Sequence, residues 1–237
     1  MAEDAIRSDN VVAVHPPSVP APRAVRRLRW ALWGAVLLVG LAAVLALVLL
    51  AHGNSSSTSG APQASDAPSA TWAAGAVRAP GFRLTDQAGS PFSLAALRGR
   101  PVIITFIDPL CRNYCPIEAQ RLNDVVRSLP AGSRPAIVAV SVNVYGNARA
   151  NLLQDARKWR LVRQWRWGIG GESQLASVWK GYHVGVLVTT KKVAGVTVHN
   201  VAHTEAAYVI DPSGYERALF LWPYSAEAVA HAIRDLS

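Results

Sequence analysis

The chain has 237 residues, 51% of them hydrophobic, and carries 24 Lys and Arg against 15 Asp and Glu, a formal net charge of +9. That leaves room for one or two domains with a sizeable core, even after a membrane segment is set aside. The basic residues form no long run or single helical stripe, which argues against nucleic-acid binding, and two cysteines are too few for a disulfide-stapled scaffold.

Residues 1–29 form a short, proline-containing tail, expected in the cytoplasm. From Trp30 to Ala51 the chain reads WALWGAVLLVGLAAVLALVLLA, without a charge. At about 1.5 Å per residue this run crosses a ~30 Å hydrocarbon core, and Trp30 and Trp33 sit at its front edge, where amphipathic rings favour the interface. Arg23, Arg26, Arg27 and Arg29 precede it, and no Lys or Arg follows until Arg78. The asymmetry predicts a single-pass cell-membrane protein with its N-terminus in the cytoplasm and its C-terminal bulk outside. The run exceeds the apolar region of a signal peptide, no strong A-x-A site follows, and no cysteine offers a lipid attachment point; an uncleaved transmembrane helix over 30–51 is expected. Residues 52–75, rich in Gly, Ser, Ala and Pro, read as a flexible linker.

The texture then changes, and a folded domain is expected over 76–237. PGFRLTDQAGSPFSLAALRGR has a strand-like start and a turn at Asp86–Gly89. PVIITFI (101–107), polar only at Thr105, and AIVAVSV (136–142) suit strands buried on both faces. Helices are expected from Pro116, with Ile117, Leu122, Val125 and Val126 at helical spacing, over 148–159, over 172–182, and after Ser225 as N-cap. Residues 184–201 read as a β-hairpin insertion, and 206–222 as two strands around a Pro-Ser-Gly turn. Strands alternating with helices indicate an α/β domain with a mixed sheet and flanking helices.

Cys111 and Cys115 are the only cysteines and stand in TFIDPLCRNYCPIEAQRL, where a buried strand runs into a helix. Closing so short a loop removes little chain entropy, so the pair reads as a site rather than a staple. Pro116 suits a first helical turn, and the residue before a proline avoids helical geometry, which predicts Cys115 at the N-cap or just outside. Free N–H groups at the helix start favour a thiolate, with Arg112 and Arg121 adding to the potential. A loop can bring two sulfurs together as a disulfide or aim both at one metal ion.

The Cys-x-x-x-Cys-Pro segment after a central strand resembles the signature of the Sco/SenC family of copper-binding, thioredoxin-fold assembly proteins. WRWGIGGESQLASVWKGYHV (165–184) resembles the family's segment before its hairpin, and HTEAAYVIDPSGYERALF (203–220) its His-Thr motif, strand, turn and next strand. The resemblance implies a thioredoxin-like domain over 76–237 with Cys111, Cys115 and His203 as copper ligands. It implies a copper chaperone acting on a cytochrome oxidase subunit or another cuproprotein. Soft thiolates select Cu(I), and an imidazole completes a three-coordinate site that also tolerates Cu(II). His203 is expected to begin a strand, with His183 and His199 as surface residues. The chain departs from the family at Arg112-Asn113-Tyr114, where a Pro-Asp pair is common, and at Asn143–Asn147, where many members carry Asp-Pro-x-x-Asp-Thr. A thiol–disulfide oxidoreductase or peroxiredoxin-like enzyme using Cys111 and Cys115 on a thiol partner remains the alternative. RKWRLVRQWRW (157–167) interleaves Arg and Trp, and is read as surface arginines around core-facing Trp159 and a strand edge at Trp165 and Trp167 rather than as a nucleic-acid patch.

Overall fold

The computed structural model describes residues 64–236 together with Trp33, Gly40 and Ala43, which are helical. The remainder of the expected tail and anchor lies outside the described residues. Among the described residues no helix is long and apolar enough to cross a membrane.

A six-stranded sheet forms the centre of the unit from Gly60 onward, in the order β1–β10–β9–β4–β5–β6. Its strands are β1 (Ala70–Thr71), β4 (Val102–Ile107), β5 (Ala136–Ser141), β6 (Trp165–Gly168), β9 (Ala206–Ile210) and β10 (Glu216–Leu221). β4, β5 and β6 run parallel, and β9 lies antiparallel to both β4 and β10. β2 (Arg83–Thr85) and β3 (Pro91–Ser93) form a small ribbon, joined to the end of β6 by Thr85 and Ile169. β7 (Val186–Val193) and β8 (Val196–His203) form a separate two-stranded hairpin. Four helices flank the sheet: α1 (Tyr114–Ser128), α2 (Arg149–Lys158), α3 (Glu172–Gly181) and α4 (Ala226–Arg234).

The side-chain alternation of β4 divides the interior. Ile103 and Ile107 face a layer with Leu122 and Val125 of α1, Leu152 of α2 and Val229 of α4. Ile104 and Phe106 face the opposite layer, with Leu175 of α3, Tyr182, Tyr208 and the β2–β3 side chains Leu84 and Phe92. β4 and β5 are buried along their whole length, as expected for parallel strands covered on both faces. Trp159, Trp165 and Trp167 are buried, and β6 is the sheet edge, so the Arg/Trp segment is a core and strand-edge feature.

Ser225 caps α4 as the sequence suggests, accepting from Ala228 N at 3.1 Å. Ile117 differs: it is exposed, while Leu122, Val125 and Val126 carry the buried face of α1. Within the low-complexity segment, Ser69 N donates to Leu219 O and β1 pairs with β10. Backbone pairing needs no particular side chain, so composition does not signal it.

A candidate metal-binding and redox site

The cysteines sit where β4 ends and α1 begins, at the C-terminal end of the parallel strands, where open α/β sheets place ligands. The connecting loop is fixed from below. Asp108 Oδ1 accepts from Leu110 N at 2.7 Å and from Asn143 Nδ2 at 2.9 Å, and Cys111 N donates to Asp108 O. Gly146 lets the following chain approach, since a Cβ there would meet Leu110 Cγ at 3.0 Å and Pro109 Cβ at 3.1 Å.

Helix α1 starts earlier than Pro116 suggests. Asn113 is the residue before it and Cys115 its second residue. Pro116 is accommodated because the first N–H groups of a helix have no intrahelical partner to lose. Cys115 is therefore buried under the helix start, while Cys111 stays in the loop, half-buried; neither forms a disulfide. Cys115 N donates to Cys111 Sγ at 3.4 Å.

The two thiols are driven apart in acidity. Cys111 is lowered to about 6, first by a hydrogen bond from the Cys115 thiol and further by the N–H groups of Cys115, Asn113 and Tyr114, against the opposing effect of burial. Cys115 is pushed well up, because its proton is held by Cys111, because it is buried, and because a Cys111 thiolate and Glu118 repel a second charge. One proton shared this way leaves Cys111 as the ionised sulfur. The arginines do not supply the effect. Arg112 lies 3.4 Å from the buried Asp155 carboxylate of α2, and Arg121 donates to Tyr224 O and covers the Trp222 ring at 4.6 Å.

Across an open cleft of about 660 Å³ from the cysteine loop stands β8. Asp108, Cys111, Arg112 and Tyr114 line one wall, and His199, Val201, His203 and Glu205 the other. His203 is the last residue of β8 rather than the first of a strand. Its Nδ1 lies 3.1 Å from Thr204 O; a carbonyl only accepts, so Nδ1 carries the proton and Nε2 keeps its lone pair. His199 is half-buried, stacked on Tyr145 at 3.6 Å between ring centroids, and shares the cleft; His183 is exposed elsewhere. Among the described residues no three His, Cys, Asp or Glu side chains stand together closely enough to hold a metal ion. The fold thus brings Cys111 and Cys115 together and sets His203 on the facing wall, short of ligation.

Sequence reading missed Glu118, three positions after Cys115. It is 1% exposed, and its Oε1 accepts from Thr105 Oγ1 at 2.7 Å and Tyr224 OH at 2.8 Å, while Oε2 is buried without a hydrogen-bond partner. Burial raises its carboxyl to about 7. The available signal was Thr105, the single polar residue of β4, which faces α1. Glu205, raised by burial, was also missed.

A mixed sheet with helices on both faces, and a Cys-x-x-x-Cys loop at the N-terminus of the helix after its central strand, define a thioredoxin-like domain. The family model described as SCO1/SenC matches residues 73–237, and the chain belongs to that family. Among solved structures, Bradyrhizobium japonicum ScoI with copper bound aligns at 21% identity and TM-score 0.59, covering 68% of this chain and 100% of that one. Yeast Sco1 with copper bound aligns at 20% identity and TM-score 0.59, covering 67% and 87%. BsSco, described with a disulfide switch and as a member of the Sco family of cytochrome c oxidase assembly proteins, aligns at 20% identity and TM-score 0.54, covering 68% and 93%. These likenesses show the fold. No curated protein matches the sequence.

Proposed function

We propose that this chain carries copper as cargo on Cys111, Cys115 and His203, and hands it to a cytochrome oxidase subunit or another cuproprotein outside the cytoplasm. The observation that carries the reading is a thiolate-favouring cysteine at a helix start, faced across one cleft by a histidine whose Nε2 is free to ligate. Two soft sulfurs and an imidazole suit Cu(I) and still accept Cu(II). Loading draws His203 toward the sulfurs, and the hairpin that ends at His203 supplies the moving part. The copper-bound relatives and the family membership support the same cargo. The run from Trp30 to Ala51, with its preceding arginines, tethers the domain to the cell membrane from outside.

Titration of the reduced full-length chain in detergent should give one copper per chain, lost in Cys111→Ser and Cys115→Ser. Failure of the reduced protein to compete with a modest copper chelator overturns the reading. A second reading, thiol–disulfide exchange, is favoured by the opposed acidities of the two thiols: one is ready to attack, and the other is held back to resolve. His203→Ala separates the two, since copper uptake falls while exchange with a small disulfide stays near wild type.

A further inference from the structure

Among the described residues the hairpin β7–β8 pairs only with itself, so both of its outer edges are unpaired there. The two edges differ. The β7 strand carries Lys191 and Lys192, the kind of charge that blunts an edge against pairing. From Val196 to His203, β8 contains no Lys, Arg, Asp, Glu, Pro or Gly.

The register shows which β8 groups point outward. Val193 pairs with Val196 across the two-residue turn Ala194–Gly195, both at positive φ, and Thr204 N donates to Gly185 O at the other end of the same register. Hydrogen-bonded and non-bonded pairs alternate along an antiparallel ladder. Ala202, Asn200 and Val198 therefore bond to β7, and the N–H and C=O groups of Thr197, His199, Val201 and His203 point away from it. Among the described residues these outward groups have no backbone partner beyond the ladder. Three of the four residues, His199, Val201 and His203, line the cysteine cleft. The opposite wall offers the exposed apolar side chains of Tyr114 and Leu110 beside Cys111.

We propose that this edge is a docking strand: an extended segment of the partner polypeptide pairs with β8 along the cleft and lays a cysteine of that segment against Cys111. Regularly spaced donors and acceptors recognise extended backbone of any sequence, and alternate side chains of the added strand then face the two sides of the hairpin. The hairpin carries two lysines and no carboxylate, which favours a segment with acidic flanks. That the segment belongs to a cuproprotein rests on the function proposed above; the strand pairing does not.

The test uses the full-length chain in detergent, with Cys115→Ser to prevent resolution. The probe is a peptide of about ten residues, alternating Val and Thr, with acidic ends and one central cysteine joined to 5-thio-2-nitrobenzoate as a disulfide. The Cys111 thiolate attacks the peptide sulfur; a Cys111–peptide disulfide forms, the old S–S bond breaks, and coloured 5-thio-2-nitrobenzoate leaves with the electron pair. Its release rate is divided by the rate with the symmetrical small reagent, which needs no strand pairing. Val201→Pro removes one outward N–H, a substitution an edge strand tolerates, and Val201→Ala controls for the side chain. The ratio should fall about tenfold in Val201→Pro relative to Val201→Ala, as one or two lost hydrogen bonds imply. The Cys115→Ser chain with Val201 intact should show the same fall with a peptide N-methylated at alternate residues, an arm that needs no change in β8. An unchanged ratio in both arms overturns the proposal. So does a chain that sediments as a dimer dispersed by Val201→Pro, because a second copy then holds the edge. Copper uptake is read separately on the reduced chain with both cysteines intact: peptide capture by the Cys115→Ser chain without copper uptake by the intact one overturns the cargo and leaves the docking strand standing.

Discussion

At the scale of single residues the site is a distribution of two protons among three acids. Cys111 ionises first because Cys115 donates to it, and the same bond keeps Cys115 protonated. Alkylation of Cys111 should therefore rise through a midpoint near pH 6, while Cys115 stays unreactive to pH 9; equal reactivity of the two would contradict the assignment. A thiol lowered from 9.0 to about 6 adds stability that grows above pH 6 and is lost as pH falls through it. Glu118 has the opposite sign. Its carboxyl is raised from 4.5 to about 7, so its favourable contribution is complete below pH 4.5 and is lost as pH rises toward 7. A shift of that size corresponds to about 3 kcal/mol. Glu118→Gln should flatten the stability profile between pH 4.5 and 6, before Cys111 titrates; urea unfolding with an unaltered slope there would refute this.

Among the elements, the junction of α1 with the chain entering β6 depends on one amide. Asn123 is fully buried; its Oδ1 accepts from Val162 N at 3.1 Å and Trp165 Nε1 at 2.8 Å, and its Nδ2 donates to Trp159 O and Arg160 O, each at 3.2 Å. Asn123→Ala strands several buried groups and should cost about 3 kcal/mol in chemical denaturation, against a few tenths for an exposed substitution such as Asp124→Ala. A loss below about 1 kcal/mol would mean water replaces the amide. Asn123 looks unremarkable in an amphipathic pattern, because a polar residue on a buried face is recognisable only when its partners are known. The heavy tryptophan content of the same segment was legible, since large rings at alternate positions of a short strand have few places to go but the core.

For the whole molecule, the sheet and the hairpin should differ in stability. β4, β5 and β9 lie wholly inside the sheet, whereas β7 is mostly exposed along its length. Amides of β4, β5 and β9 should exchange only with global unfolding, and those of β7 and β8 far sooner. Hairpin amides protected as well as the core would argue against a hairpin free to carry His203 toward the sulfurs. Buried strands of β-branched residues, the helix after the cysteines, the Ser225 cap and the hairpin were all readable, with boundaries within a few residues. The start of α1 was misplaced because a proline forbids only what a helix interior requires, and a first turn requires less.

The sequence by itself determined the alternation of elements and the cysteine pair at a strand-to-helix junction, because hydrophobic period and short spacing are local properties, and its motifs carried the resemblance to the family. The tertiary structure decided everything that depends on distance across the chain. It sent Arg112 to Asp155 rather than to the thiols, buried Glu118 beneath Thr105 and Tyr224, and set the bare edge of β8 opposite Cys111. Those outcomes follow from how the layers pack and which groups lose water there; Thr105 and Glu118 are thirteen residues apart, but Tyr224, Asp155 and β8 lie far along the chain from their partners.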